Sequence, residues 1–202
     1  MSIHIRDVSE HELDAVLALN NAAGKSILPM SREQLRFFFD CAAYFRVGLI
    51  DGNLAGFLIA LTEDAEHASA NFRWFKQRFE HFLYIDRIVI AKGHRGAGLG
   101  RMFYADLQSF AEVRSPRIAC EVFLEPGNDI ALLFHGTYGF NEVGQQLMPG
   151  IERRVSLLTK ELCSWPWVQQ TYYSGDHSRL PDLPWLAARH HHTGATRQAT
   201  GS

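Results

Sequence analysis

A glycine-rich turn between two apolar segments is the feature that most constrains the fold of this chain. The turn reads Arg95-Gly96-Ala97-Gly98-Leu99-Gly100-Arg101; it follows the strand-like run Phe82–Ile90 and precedes the helix-like run Arg101–Val113. A helix that begins at such a turn presents unpaired backbone N–H groups and the positive end of its dipole, and both attract phosphate. Glycine also lets the backbone approach a ligand closely. The sequence therefore predicts a site for a phosphate-bearing cofactor.

The spacing of these glycines argues against the two commonest phosphate-binding loops. A P-loop requires G-x-x-x-x-G-K-(S/T), and no Lys-Ser or Lys-Thr follows Gly100. The dinucleotide fingerprint requires G-x-G-x-x-G after the first strand of a βαβ unit, whereas here alternate glycines stand in mid-chain. A nucleotide-binding α/β enzyme of another type stays open as a minor alternative.

Composition and charge indicate one globular domain of a cytoplasmic protein. The chain has 202 residues, 47% of them hydrophobic, and a formal net charge of −2, which disfavours a general nucleic-acid binder. No apolar run has the length of a membrane span, and the N-terminal segment lacks a signal-peptide core. The cysteines Cys41, Cys120 and Cys163 are scattered and odd in number, as is typical of free thiols in a reducing compartment. We expect neither nucleic-acid nor membrane partners, and no metal site.

Periodicity and turn signals predict the element order β-α-α-β-β-β-α-β-α-β-β over residues 3–162. Asp51-Gly52-Asn53 is a strong hairpin signal between two apolar runs. Asn128 is placed to cap a helix that ends at Gly139. Alternating strands and helices of this kind predict a mixed α/β (α+β) domain.

Two motifs in this order resemble the GNAT superfamily of N-acetyltransferases. Arg95–Gly100 fits that family's coenzyme A loop, in which Arg or Gln is followed by two residues, Gly, one residue, and Gly or Ala. Asn128–Phe140 is similar to its N-x-x-A-x-x-(L/F)-Y-x-x-x-G-F segment, with His135 in place of the tyrosine. The resemblance implies a central sheet of about six to seven strands with helices on both faces, formed by residues 1–162.

The resemblance further implies that acetyl-CoA is the cofactor. Its pantetheine arm is expected along the strand that precedes the glycine turn, and its phosphates at the turn. The residues that this assigns to cofactor binding are Ile88, Val89, Ile90, Arg95, Gly96, Ala97, Gly98, Leu99, Gly100, Arg101, Asn128 and Phe134.

His135 is the candidate general acid for the departing thiolate, because the family's tyrosine serves that role at this position. The unperturbed pKa of histidine, about 6.5, suits proton donation near neutral pH. Tyr138 is a second candidate acid. The structural alternative is that a backbone carbonyl at a helix–sheet contact satisfies His135.

The resemblance implies that Asp86 or Tyr84, on the strand before the turn, serves as the base, because residues at these two places supply the base, or the water chain to it, in several relatives. Strand alternation places Tyr84, Asp86, Ile88 and Ile90 on one face. Apolar neighbours should raise the pKa of Asp86, which suits a base. The alternative is a structural Asp86 paired with an arginine.

Three further segments bear on the acceptor. Asn71–Phe79 has aromatics and arginines suited to a pocket, although Phe72, Phe75 and Phe79 have the spacing of a packed amphipathic helix, which is favoured. The loop Asn21–Ser31 is another substrate-facing candidate, and Cys120 is expected in the core.

The resemblance implies direct transfer of an acetyl group to a primary amine, which is expected to be a small molecule. It also implies a homodimer. An inactive acyl-CoA sensor of the same fold is the alternative. Residues 163–202, rich in aromatics and proline, are expected to form an extension whose last part is disordered.

Overall fold

A computed structural model describes residues 1–125 and 129–173 of the chain. Its strands are β1 (Ile3–Asp7), β2 (Tyr44–Ile50), β3 (Asn53–Thr62), β4 (Leu83–Ile90), β5 (Arg117–Phe123), β6 (Asn141–Met148) and β7 (Arg153–Glu161). Its α-helices are α1 (Leu13–Asn21), α2 (Arg32–Cys41), α3 (Ala70–Lys76), α4 (Leu99–Ala111), α5 (Asp129–Thr137) and α6 (Trp165–Val168). None of these helices has the length and apolar character that a membrane crossing requires. The predicted helix cap Asn128 and most of the predicted extension lie outside the described residues.

The strands form one mixed sheet in the order β1-β2-β3-β4-β5-β7-β6. All neighbouring strands are antiparallel except β4 and β5, which are parallel. The predicted hairpin joins β2 to β3 through Asp51 and Gly52, whose φ angles of 48° and 81° are those of a tight primed turn. The predicted fold class is confirmed, and the element order differs from the predicted one in the helix α3, which lies between β3 and β4.

Each face of the sheet carries its own hydrophobic core because side chains alternate along the strands. We call the face covered by α1, α2 and α3 the front face and the face covered by α4 and α5 the back face. The front core includes Val16, Leu35, Phe38, Phe57, Ile59, Phe72, Phe75 and Tyr84. The back core includes Leu58, Ala60, Leu83, Leu99, Phe103, Leu107, Cys120 and Phe140.

The segment 71–79 forms a packed helix rather than the wall of an open pocket. The Ser69 hydroxyl caps α3 by accepting from the backbone N–H groups of Asn71 and Phe72 at 3.2 and 3.4 Å. Phe72 and Phe75 are fully buried in the front core. The amphipathic alternative is thus the one that the structure shows, and α3 fills part of the front face.

A β-bulge in β4 changes which side chains share a face. Ile59 of β3 pairs with Arg87 and the next residue, Ala60, pairs with Ile85, so Asp86 is an extra residue without its own partner. Tyr84 and Val89 both lie in the front core, whereas Ile88 and Ile90 pack against the back core. The predicted common face of Tyr84, Asp86, Ile88 and Ile90 is therefore wrong, because one inserted residue reverses the alternation beyond it.

The two parallel strands separate immediately after they meet. β4 and β5 pair only at Leu83↔Ile118 and Tyr84↔Ala119, while β5 continues to pair with β7 along its whole length. The backbone of β4 beyond Tyr84 consequently has no ladder partner on β5. We call the gap between β4 and β5 beyond Tyr84 the split.

Two glycines in the sheet allow α4 to lie close to the back face beside the split. A Cβ on Gly48 would stand 2.6 Å from Leu99 Cδ1 and 3.0 Å from Phe103 Cζ. A Cβ on Gly56 would stand 2.6 Å from the carbonyl oxygen of Val89. These contacts leave no room for a side chain at Gly48 or Gly56. Because a Cβ on Gly56 would also stand 3.2 Å from Leu99 Cδ2, both glycines let the first turn of α4 lie close to the sheet.

Replacing Gly48 with alanine is expected to lower the free energy of unfolding by about 1–3 kcal/mol, because the added methyl group overpacks Leu99 and Phe103. Chemical denaturation measures the change. Gly93→Ala is the matched control, since a Cβ there would meet nothing within 4 Å. Equal stabilities of the two variants would contradict the close packing of α4.

Candidate active site

The glycine-rich turn forms the N-terminal cap of α4. Gly96 and Gly98 have φ angles of 82° and 89°, which other residues rarely adopt, and Gly98 is the residue before the helix. A Cβ on either glycine would meet nothing within 4 Å, so open space lies in front of them. Because the first amides of a helix have no intrahelical acceptor, the start of α4 at Leu99 offers N–H groups beside this space. The turn fits a phosphate-bearing group.

The other predicted cofactor residues that the structure describes gather around this turn, whereas Asn128 lies outside the described residues. The Arg95 guanidinium donates to the carbonyl oxygens of Ile90 and Ala23 at 3.3 and 3.4 Å, which ties the turn to the end of α1. Phe134 of α5 packs against the helix start, 3.6 Å from a Cβ placed on Gly100. Ala97 and Leu99 pack toward the back core, and Arg101 is exposed at the surface. Together with Ile88–Ile90 of β4, these residues border the split at the end where α4 begins.

The predicted acids lie in an aromatic cluster on the back face. His135 is 7% exposed; its Nδ1 is 2.7 Å from the Ala131 carbonyl oxygen and its Nε2 is 2.6 Å from the Tyr104 hydroxyl. A neutral imidazole satisfies both contacts by donating to Ala131 and accepting from Tyr104. Burial lowers the pKa of His135. This geometry matches the structural alternative for His135, and its role as an acid stays a prediction.

Tyr138 belongs to the same cluster but is only half-buried. Its ring centroid lies 4.9 Å from that of Phe134 and 5.2 Å from that of Tyr104. Phe134 also contacts the start of α4, so its ring lies between Tyr138 and the glycine-rich turn. The structure thus separates the predicted acids from Tyr84 and Asp86, which lie on the front face.

Asp86 is held in a buried ion-pair network. Its Oδ2 accepts from Arg87 Nε at 2.6 Å, and its Oδ1 lies 2.9 Å from His67 Nε2. Burial acts to raise the pKa of Asp86, but Arg87 and His67 outweigh it, and the pKa is lowered. The predicted raised pKa is wrong because the bulge turns Arg87 onto the same face as Asp86. The arrangement is the arginine-paired alternative.

Glu121 of β5 is the functional candidate that the sequence interpretation missed. Tyr84 donates its hydroxyl hydrogen to Glu121 Oε2 at 2.7 Å, so the carboxyl group lies on the front face beside the split. Burial raises the pKa of Glu121 to about 7, although the hydrogen bond from Tyr84 opposes the shift. A carboxyl group that titrates near neutrality is suited to accept a proton. The available signal was a single carboxylate within the otherwise apolar run Ile118–Phe123.

An open groove of about 660 Å³ lies on the same side, between the α1–α2 loop and the ends of β5 and β7. It is lined by Asn21, Gly24, Lys25, Ile27, Leu28, Pro29, Glu125 and Arg153. The α1–α2 loop forms one wall of the groove, and Arg87 links it to the bulge. Its Nη1 donates to Asn20 Oδ1 at 2.9 Å and to the Leu28 carbonyl oxygen at 3.4 Å. The groove therefore approaches the wide end of the split. Among the described residues, no group of three or more His, Cys, Asp or Glu side chains is arranged to hold a metal.

The structure thus combines a mixed sheet split between two parallel strands, a glycine-capped helix beside the split and a half-buried carboxyl group on the front face. The sequence profile of the acetyltransferase (GNAT) family matches residues 13–140. The chain belongs to this family, whose members use acetyl-CoA. Among curated proteins, no sequence matches the chain.

Solved structures of acetyltransferases share the fold at low identity. Ard1 from Thermoplasma volcanium superimposes with a TM-score of 0.65 at 14% identity, over 80% of this chain and 99% of that chain. Arabidopsis thaliana Naa50, in complex with the bisubstrate analogue CoA-Ac-MVNAL, gives 0.61 at 16% identity over 80% and 99%. The ribosomal-protein-S18-alanine N-acetyltransferase from Escherichia coli gives 0.58 at 17% identity over 80% and 94%. At these identities the likeness shows the fold alone.

Proposed function

We propose that the chain is an acetyl-CoA-dependent N-acetyltransferase that acts on a small-molecule primary amine, with Glu121 as its general base. The observation that carries the proposal is the carboxyl group of Glu121, which Tyr84 holds on the front face beside the split and whose pKa burial raises to about 7. Family membership supports acyl transfer, and the glycine-capped start of α4 supports a phosphate-bearing donor.

The residues present fit acetyl-CoA. The N–H groups at the start of α4 and the open space before Gly96 and Gly98 suit its phosphates. The β5-facing backbone of Ile88–Ile90, left without a strand partner, suits its extended amide-bearing arm. When bound, acetyl-CoA supplies an activated acyl group as a thioester.

Glu121 supplies the base because an amine must lose a proton before it becomes a nucleophile. Above pH 7 the carboxylate is ionised and takes a proton from the ammonium of an acceptor in the groove. Tyr84 holds this carboxylate by donating to Oε2 at 2.7 Å and so fixes its position. Asp86 acts indirectly, since its negative charge raises the pKa of Glu121 while Arg87 keeps Asp86 ionised.

We propose Tyr138, in preference to His135, as the group that donates a proton to the departing thiolate. Both ring nitrogens of His135 already have partners, Ala131 and Tyr104. Tyr138 is half-buried at the edge of the same cluster, next to Phe134.

A thiol-release assay with purified protein and acetyl-CoA tests the function. The acceptor panel comprises free amino acids, polyamines, aminoglycosides and short peptides, and mass spectrometry identifies the acetylated product. We expect amine-dependent release of coenzyme A with at least one class, and calorimetry should show coenzyme A binding without an acceptor.

The two ways of failing have different meanings. If coenzyme A binds but neither acetyl-CoA nor longer acyl-CoAs release thiol with any amine, the chain is an acyl-CoA sensor and the enzyme proposal is wrong. If coenzyme A does not bind, the glycine-rich turn has been misinterpreted as well.

A further inference from the structure

Arg153, at the start of β7, has a guanidinium group that its neighbours satisfy only in part. Its Nε donates to the Glu125 carboxylate, and its Cζ lies 3.5 Å above the ring of Phe123. Its Nη2 is buried, and no other described residue accepts a hydrogen bond from it. Because an N–H group without an acceptor is costly, this partly exposed guanidinium, which lines the groove, favours an anionic ligand.

The position of Arg153 relates it to the proposed base. Glu121 and Phe123 lie two residues apart on the front face of β5, and Val155 of β7 pairs with Phe123. Continued by two residues, this register sets Arg153 opposite Glu125. The guanidinium, stacked over Phe123, therefore stands one same-face step from Glu121, roughly 7 Å along the strand.

The charges in the groove also favour an anion. Lys25 and Arg153 contribute two positive charges to its lining, and Glu125 contributes one negative charge. Both cations act on that carboxylate, because Arg153 first and then Lys25 lower the pKa of Glu125. The negative charge of Glu125 is thus balanced by one of these two cations, and the lining of the groove keeps a net charge of one positive unit.

Resting on the proposed function, we propose that the acceptor is a small amino acid whose carboxylate binds Arg153 while its amine meets Glu121. A contact of about 2.9 Å at each end leaves room for an amine and a carboxylate that are a few bonds apart. Ile27 and Leu28 line the same groove and offer an apolar surface to the amino acid's side chain. Lys25 strengthens the attraction for the carboxylate from the facing loop.

Paired acceptors test this proposal. Leucine, methionine and phenylalanine are each compared with the corresponding carboxamide, which keeps the amine and lacks the carboxylate. We expect kcat/KM to be at least tenfold higher for the free acids. In Arg153→Gln this ratio should fall by roughly 10- to 100-fold, mainly through KM for the acids, since a charge-assisted hydrogen bond is lost. Arg154→Gln is the matched control: Arg154 is the exposed next residue, and its substitution should leave the ratio unchanged.

A binding measurement makes the result independent of turnover. Calorimetry on the coenzyme A complex compares N-acetylleucine with N-acetylleucinamide, and the acid should bind at least tenfold more tightly only when Arg153 is present. Equal affinities for the acid and the amide in the unmodified protein would overturn the proposal. So would an equal loss of affinity for the two compounds in Arg153→Gln. If carboxamides or polyamines are the better substrates, the acetyltransferase proposal stands and the carboxylate proposal is wrong. Phosphoethanolamine and ethanolamine form a further pair, and a preference for the phosphate ester alone would overturn the assignment of a carboxylate.

Discussion

Replacing Glu121 with glutamine is expected to lower kcat/KM by about 10²- to 10⁴-fold, because the acceptor loses its general base. Glutamine has the same shape and still accepts the hydrogen bond from Tyr84, so the fold and the coenzyme A affinity should be retained. In the unmodified protein, kcat/KM should rise with pH through a midpoint near 7, the pKa of Glu121. The variant's residual activity should lack that midpoint. An unchanged pH profile in Glu121→Gln would exclude Glu121 as the base.

The same substitution should stabilise the protein at alkaline pH. The folded-state pKa of Glu121, about 7, lies above the ordinary value of 4.5 for a glutamate, so the folded state binds the proton more tightly. This stabilisation is fully present below pH 4.5 and is lost as the pH rises to 7, a difference of about 3 kcal/mol. Glu121→Gln should therefore raise the Tm at pH 8 more than at pH 5. Glu161→Gln, at an exposed carboxylate opposite Arg117 in the same ladder, is the control and should show no such difference.

Tyr84→Phe tests whether the hydrogen bond from the Tyr84 hydroxyl controls the pKa of the proposed base, Glu121. The hydrogen bond from Tyr84 lowers the pKa of Glu121, so its removal should move the midpoint of the kcat/KM profile to higher pH. An unmoved midpoint would show that Tyr84 only packs against Phe72 and Phe75.

Replacing Gly98 with aspartate is expected to weaken coenzyme A binding by at least about 100-fold. Two charges of the same sign about 4 Å apart repel by roughly 4 kcal/mol at an effective dielectric constant of 20. Aspartate tolerates the φ of 89° at this position better than most residues do and is a good helix cap, so α4 should remain folded. Calorimetry with coenzyme A measures the loss, which should shrink at high salt.

Gly98→Asn is the matched control because asparagine has the shape of aspartate and no charge. It should retain most of the coenzyme A affinity, since a Cβ at this position meets nothing within 4 Å. Similar affinities of the two variants would show that the phosphates do not bind at the start of α4.

The features that follow from local sequence were predicted well. The hairpin at Asp51-Gly52, the strand before the glycine-rich turn and the helix after it each depend on neighbouring residues, and each is present. The faces of β4 beyond Tyr84 were not predicted, because a bulge depends on the register of a partner strand. Its consequence, an arginine beside Asp86, reversed the expected pKa shift.

The candidate site also depends on contacts between residues that are far apart in the sequence, and these contacts were not predicted. Glu121 lies in the otherwise apolar run Ile118–Phe123, and its hydrogen-bond partner Tyr84 comes from β4. His135 likewise meets Tyr104, 31 residues away, which no motif indicates. Burial and partners set each pKa, and both are properties of the assembled sheet.

The short pairing of β4 with β5 also bears on how this protein can change over evolutionary time. Two ladders, one of β1–β4 and one of β5–β7, meet at only two residue pairs, so each keeps its hydrogen bonds without the other. A side-chain contact joins the two ladders where the split begins, because the Tyr84 hydroxyl donates a hydrogen bond to Glu121. Beyond this contact, substitutions on the side chains that border the split can change its width without breaking a hydrogen bond of either ladder.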